Sequence, residues 1–165
     1  MRLSAQFDFL APPDQVAQLL GDAEFVATAM GGAEAAQATV RHSADGAFTV
    51  TARGPVQAED LPQGLKSLAP ANLELRQAMV WQPPDANGNR QASLAGEITG
   101  APVALEGQAH LTRSKQGCQL VVEGDVKAAV PLFGRVIEQA GVENVLKALQ
   151  AQAAQISQWL EANPG

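Results

Sequence analysis

The sequence has no tyrosine, five phenylalanines and two tryptophans, so aromatics make up only 4% of its 165 residues. Although 46% of the chain is hydrophobic, roughly a fifth is alanine, and the bulk available to fill a core is smaller than that figure suggests. The one cysteine, Cys118, excludes an internal disulfide framework and any multi-cysteine metal site. The two histidines, His42 and His110, stand far apart, and neither has another ligand at metal-site spacing. Basic residues are scarce, 11 against 17 acidic ones for a net charge of −6. That balance argues against nucleic-acid binding, which relies on clustered Lys and Arg. No apolar run approaches the roughly 18 residues needed to span a bilayer. The opening MRLSAQFDFL alternates and contains Asp8, unlike a secretory leader. The expectation is a soluble cytoplasmic protein with no stable membrane insertion.

What is present is alternation. Leu3, Ala5, Phe7 and Phe9 share one face over residues 2–10, which predicts a strand. Ala11-Pro12-Pro13-Asp14 ends it and opens a helix carrying Val16, Leu19 and Leu20 on one side. Gly21 stops that helix, and Asp22 can cap a second one bearing Phe25, Val26 and Ala29. After Gly31-Gly32 the period returns to two, with Ala36, Ala38, Val40 and His42 leading to Asp45-Gly46 and back through Phe48, Val50 and Ala52. Asp-Gly between alternating runs is a hairpin signal. A connection over 55–72 contains three prolines and room for one helical turn. Four more strands follow, with Leu73 to Trp81, Ala92 to Ile98, Val103 to Leu111 and Cys118 to Val126 as apolar faces. Beyond Pro131 the spacing of Val142, Leu146, Leu149, Ala153, Ile156 and Leu160 is helical, and Gly141 within it predicts close packing or a bend.

This order predicts an α+β fold in a single domain over residues 1–165. A curved seven-stranded antiparallel sheet wraps around a long C-terminal helix, and two short helices follow strand 1. Four stretches carry a family resemblance: RLSAQFDFLAPPDQVAQLLGDAEF, AEDLP, WQPPDANGNRQASLAGEITGAPVALEG and VEGDVKAAVPLFGRVIE. They resemble the START-like superfamily, the helix-grip or polyketide-cyclase/birch-pollen-allergen fold. The nearer resemblance is to a bacterial family of unknown function within it. The resemblance implies a cavity between helix and sheet of the kind that takes lipids, sterols or polyketides. It carries over no catalytic residues.

Catalytic templates are absent from the residues themselves. No G-x-S-x-G and no phosphate-binding glycine loop occurs. His110 shares a polar strand face with Glu106, Gln108 and Thr112, a solvated position. Cys118 begins an apolar face, where a thiol is inert. Small residues at Ala92, Gly96, Gly107, Ala109 and Gly124 on inward faces predict room between sheet and helix. The expected cavity lining is Leu75, Met79, Trp81, Leu94, Val103, Leu105, Leu120 and Val122 from the sheet, with Phe133, Ile137 and Gly141 from the helix. Gln77, the one strongly polar residue on its face, is expected to orient a ligand. Leu61, Leu65 and Leu68, at i, i+4 and i+7, are expected either to pack together or to form a flap over the mouth. The leading expectation is a carrier or sensor of a small hydrophobic molecule, without cofactor or metal. The alternatives are a cyclase or dehydratase using Gln77 with His42 or Arg76, and a closed-core protein acting through its outer surface.

Overall fold

A computed structural model describes residues 1–30, 36–67 and 69–164. Gly31-Gly32 and Leu68 lie outside the described residues. The elements follow the predicted order: β1 (Arg2–Phe9), α1 (Pro13–Leu20), α2 (Ala23–Ala29), β2 (Gln37–His42), β3 (Phe48–Pro55), a single 3-10 turn (Ala58–Asp60), β4 (Glu74–Trp81), β5 (Arg90–Thr99), β6 (Val103–Arg113), β7 (Cys118–Ala128) and α3 (Gly134–Ala162). The strands form one seven-stranded antiparallel sheet in the order β1-β7-β6-β5-β4-β3-β2.

Local chemistry sets the boundaries. Pro13 occupies the first turn of α1, where its missing N–H costs nothing. The Asp22 carboxylate accepts the Phe25 N–H at 3.0 Å and caps α2. The β2–β3 turn holds Gly46 at φ 93°, and Asp45 accepts the Ala47 N–H at 3.0 Å. The 29-residue α3 lies against β1, β7 and α2.

Register arranges the inner face in transverse rows. One row runs Phe48, Trp81, Ala92, Ala109, Val122, Ala5. Trp81 is 1% exposed, with Phe48 stacked at 6.0 Å between ring centroids and two alanines beside it. The alanines thus accommodate the large rings, as close packing requires. Val16, Leu19 and Leu20 of α1 and Ile156 of α3 close this end into the core. The row at the opposite end runs Gly54, Leu75, Ile98, Val103, Ala128, and its apolar members are only half-buried. The stripe on α3 divides the same way. Ala153 and Ile156 are buried in its C-terminal half, while Val142, Leu146 and Leu149 are half-buried.

Gly141 resolves the choice between a bend and close packing in favour of packing. A Cβ there would stand 2.9 Å from Cγ1 of Val126, so the glycine lets α3 sit directly on β7. Gly107 and Gly124 face each other across β6 and β7, and a side chain on either would collide with the partner strand's backbone.

Candidate functional site

Two of the concavities along the sheet bear on the site. The larger, about 680 Å³, is a groove bordered by the exposed side chains of Arg53, Arg76, Glu97 and Glu106. Charged, solvated walls offer a ligand little apolar burial. The smaller, about 470 Å³, lies at the half-buried end of the inner face and is almost wholly apolar. Its floor is the row Leu75, Ile98, Val103, and one wall is the first half of α3 through Phe133, Ile137, Ala140, Gly141 and Val145. The β3–β4 connection forms the other wall through Val56, Leu61, Pro62, Leu65, Pro70 and Leu73. The β5–β6 turn, Gly100-Ala101-Pro102, closes one side. This apolar cavity, within the size range of small-molecule sites, is the candidate site.

Proline and hydrogen bonding position its walls. Pro62 and Pro70 restrict the connection, and Val56 N–H donates to Leu73 O at 3.0 Å, holding its two ends together. Asn144 Nδ2 on α3 donates to the backbone oxygen of Asp60 at 2.9 Å and ties helix to connection. Glu138 accepts the Ala128 N–H at 3.1 Å, anchoring the start of α3 to the end of β7. Asp60 and Asn144 are the two polar side chains among the described lining residues, and no cation lines the cavity there. Beside the mouth, Leu132 is 96% exposed with φ 70°, next to the partly exposed Phe133 and Val136.

The structure brings Leu61, Leu65, Leu75, Val103, Phe133, Ile137 and Gly141 together around this cavity. Leu68, the third flap residue, lies outside the described residues. Six apolar sheet residues expected in the lining are elsewhere. Trp81, Leu94, Leu120 and Val122 are buried in the closed core, because α1, α2 and the C-terminal half of α3 cover their rows. Met79 and Leu105 are half-buried against that core. Gln77 does not line the cavity either; its Nε2 donates to the Met30 Sδ at 3.8 Å, and with Leu105 it borders the polar groove. His42 packs on Phe48 at 5.6 Å, far along the sheet, and Arg76 is on the outer groove bonded to Glu74 at 2.7 Å. Gln77, His42 and Arg76 therefore share no point in the apolar cavity.

The small inward residues also act differently from the expectation. Ala92 and Ala109 pack beside Trp81, and Gly107 and Gly124 admit close backbones, so none of them borders the cavity. The missed wall residues include Ile98, on the same face as Leu94, and Asn144. The signal for Asn144 was available: it follows Ile137 and Gly141 at helical spacing on one face.

Burial pushes the Cys118 thiol up to about 11, so it stays protonated and unreactive at neutral pH. Among the described residues no three His, Cys, Asp or Glu side chains group as metal ligands. No helix among them is long and apolar enough to cross a membrane.

Residues 4–160 match the model of a family of proteins of unknown function, DUF2505. The chain belongs to this family. No curated protein matches it. Among solved structures, the ZhuI aromatase/cyclase of a Streptomyces species superposes with a TM-score of 0.68 at 16% identity, covering 100% of this chain and 98% of that one. A START superfamily protein of Mycobacterium smegmatis gives 0.59 at 14%, covering 96% and 98%. A STAR-related lipid transfer protein fragment of Xanthomonas axonopodis gives 0.59 at 14%, covering 93% and 84%. The fold of this DUF2505 member is thus the START-like helix-grip fold.

Proposed function

We propose that this protein binds a small hydrophobic molecule in the cavity between α3, the end of the sheet and the β3–β4 connection, as a carrier or sensor. The observation that carries the reading is the cavity of about 470 Å³ whose described lining is apolar except for Asp60 and Asn144. Its leucine, isoleucine and valine walls are only half-buried, so a molecule bound there removes their remaining surface from water. Two polar side chains, one of them the solvent-exposed Asp60, supply orientation rather than an acid–base pair, which favours carriage over catalysis. The likeness to a lipid transfer protein and to an aromatase/cyclase supports the same class of ligand.

The test is native mass spectrometry after incubation with a mixed lipid extract and washing, on the parent and on Ala140→Phe. Ala140 lines the cavity, and a phenyl group there occupies the space. A retained adduct on the parent that is lost in a variant of unchanged circular dichroism supports the reading. Absence of any adduct on the parent refutes it.

A further inference from the structure

Resting on that reading, we propose that the cavity selects neutral molecules with one hydrogen-bond donor, a hydroxyl above all, and that Asn144 is the residue that orients them. Three observations meet here. First, among the described residues no Lys, Arg or His lines the cavity, so an ionised carboxylate entering it would give up hydration with no countercharge. The one charged side chain at its edge, Asp60, has the sign that repels an acid. Second, an ammonium gains little from Asp60, because that carboxylate is exposed and screened by solvent.

Third, the amide of Asn144 is half committed. Its Nδ2 donates to Asp60 O at 2.9 Å, which fixes which way the side chain faces, while its Oδ1 accepts no hydrogen bond among the described residues. Asn144 is one of the lining residues, and a fixed amide with a free acceptor beside apolar walls recognises a donor, which an alcohol brings without a charge. Size narrows the class further. A water-sized group takes about 30 Å³, so a cavity of about 470 Å³ holds on the order of fifteen such groups. That suits one alkyl chain or a small fused-ring alcohol and is too little for a two-chain lipid. The one feature of the wall that favours an anion is the start of α3, which has no side-chain cap.

The experiment measures displacement of an environment-sensitive fluorophore from the purified protein by decanol, decanoate and decane at pH 8. Decanol is expected to bind at least about tenfold more tightly than decanoate, which loses ionic hydration without a countercharge, and about tenfold more tightly than decane, the scale of one well-made hydrogen bond. In Asn144→Leu, decanol is expected to fall to the affinity of decane while decane itself is unchanged. Because the comparison of probes is made on the parent, it stands even if the variant fails to fold. Decanoate binding as well as decanol, as an acid held at the α3 N-terminus would, overturns this inference and leaves the binding function standing. Equal loss of decanol and decane in Asn144→Leu assigns Asn144 to wall packing and overturns its orienting role. Binding of none of the three overturns the function itself.

Discussion

Replacing Gly141 by alanine opposes two effects at a single carbon atom. In the interior of a helix the change favours folding by about 1 kcal/mol, through reduced backbone entropy in the unfolded chain. The new Cβ, however, would stand 2.9 Å from Cγ1 of Val126. Val126 is buried and branched at Cβ, with little rotamer freedom to move aside. Overpacking of this kind costs about 1–3 kcal/mol, so the net expectation is destabilisation by about 1 kcal/mol. Val126→Ala removes the two methyl groups and costs about 2 kcal/mol alone. The nearest Val126 atom left facing the new methyl is then Cβ, at 3.9 Å, an ordinary contact. In that background Gly141→Ala should stabilise by about 1 kcal/mol, a coupling of about 2 kcal/mol between the two sites. Urea unfolding of the four proteins, followed by circular dichroism, measures the cycle. A stabilising Gly141→Ala in the parent, or effects that add within about 0.5 kcal/mol, would refute the packing argument.

Other consequences are equally direct. Ala140→Phe should abolish lipid retention in native mass spectrometry while leaving the far-ultraviolet spectrum unchanged. Cys118 should be unreactive toward a thiol reagent at pH 8 in the folded protein and react once urea unfolds it. An unfolded thiol ionises near the ordinary 9.0, whereas the folded one holds its proton to about 11. The unfolded chain sheds that proton first, so this contribution to stability is intact below pH 9 and declines from there toward 11. A Cys118→Ala variant, lacking the thiol, should lose that part of the decline in pH-dependent unfolding. Arg90 donates to Gly46 O at 2.9 Å and Gln82 O at 3.3 Å, and its guanidinium lies 5.4 Å from the centre of the Phe48 ring. Arg90→Met should cost about 1.5–3 kcal/mol in urea unfolding and speed hydrogen exchange in the β2–β3 turn. An unchanged midpoint would show that these contacts are dispensable.

The element order and most boundaries were legible in the residues. Alternation placed each strand, Pro13 and Asp22 opened the short helices, and the stripe ending at Leu160 marked α3. Strand parity also decided which residues share the inner face, so Leu75, Val103 and Trp81 were correctly put on one side of the sheet. Parity says nothing about position along that face. Trp81 and Leu75 have the same periodicity, yet one is sealed beneath α1 and the other borders the cavity.

The scarcity of aromatic bulk had suggested space wherever alanine and glycine face inward. Tertiary structure put the space elsewhere, beside Leu75, Ile98 and Val103. Local sequence determined periodicity, turns and caps, because each depends on neighbours a few residues away. Which end of the sheet is closed depended on register between distant strands and on where a rigid helix comes to rest. Ala92 and Ala109 complement Trp81 only once three strands are aligned, and Gly141 admits Val126 only once α3 crosses β7. The C-terminal half of α3 packs into the core at one end of the inner face, and the proline-bearing connection walls the cavity at the other.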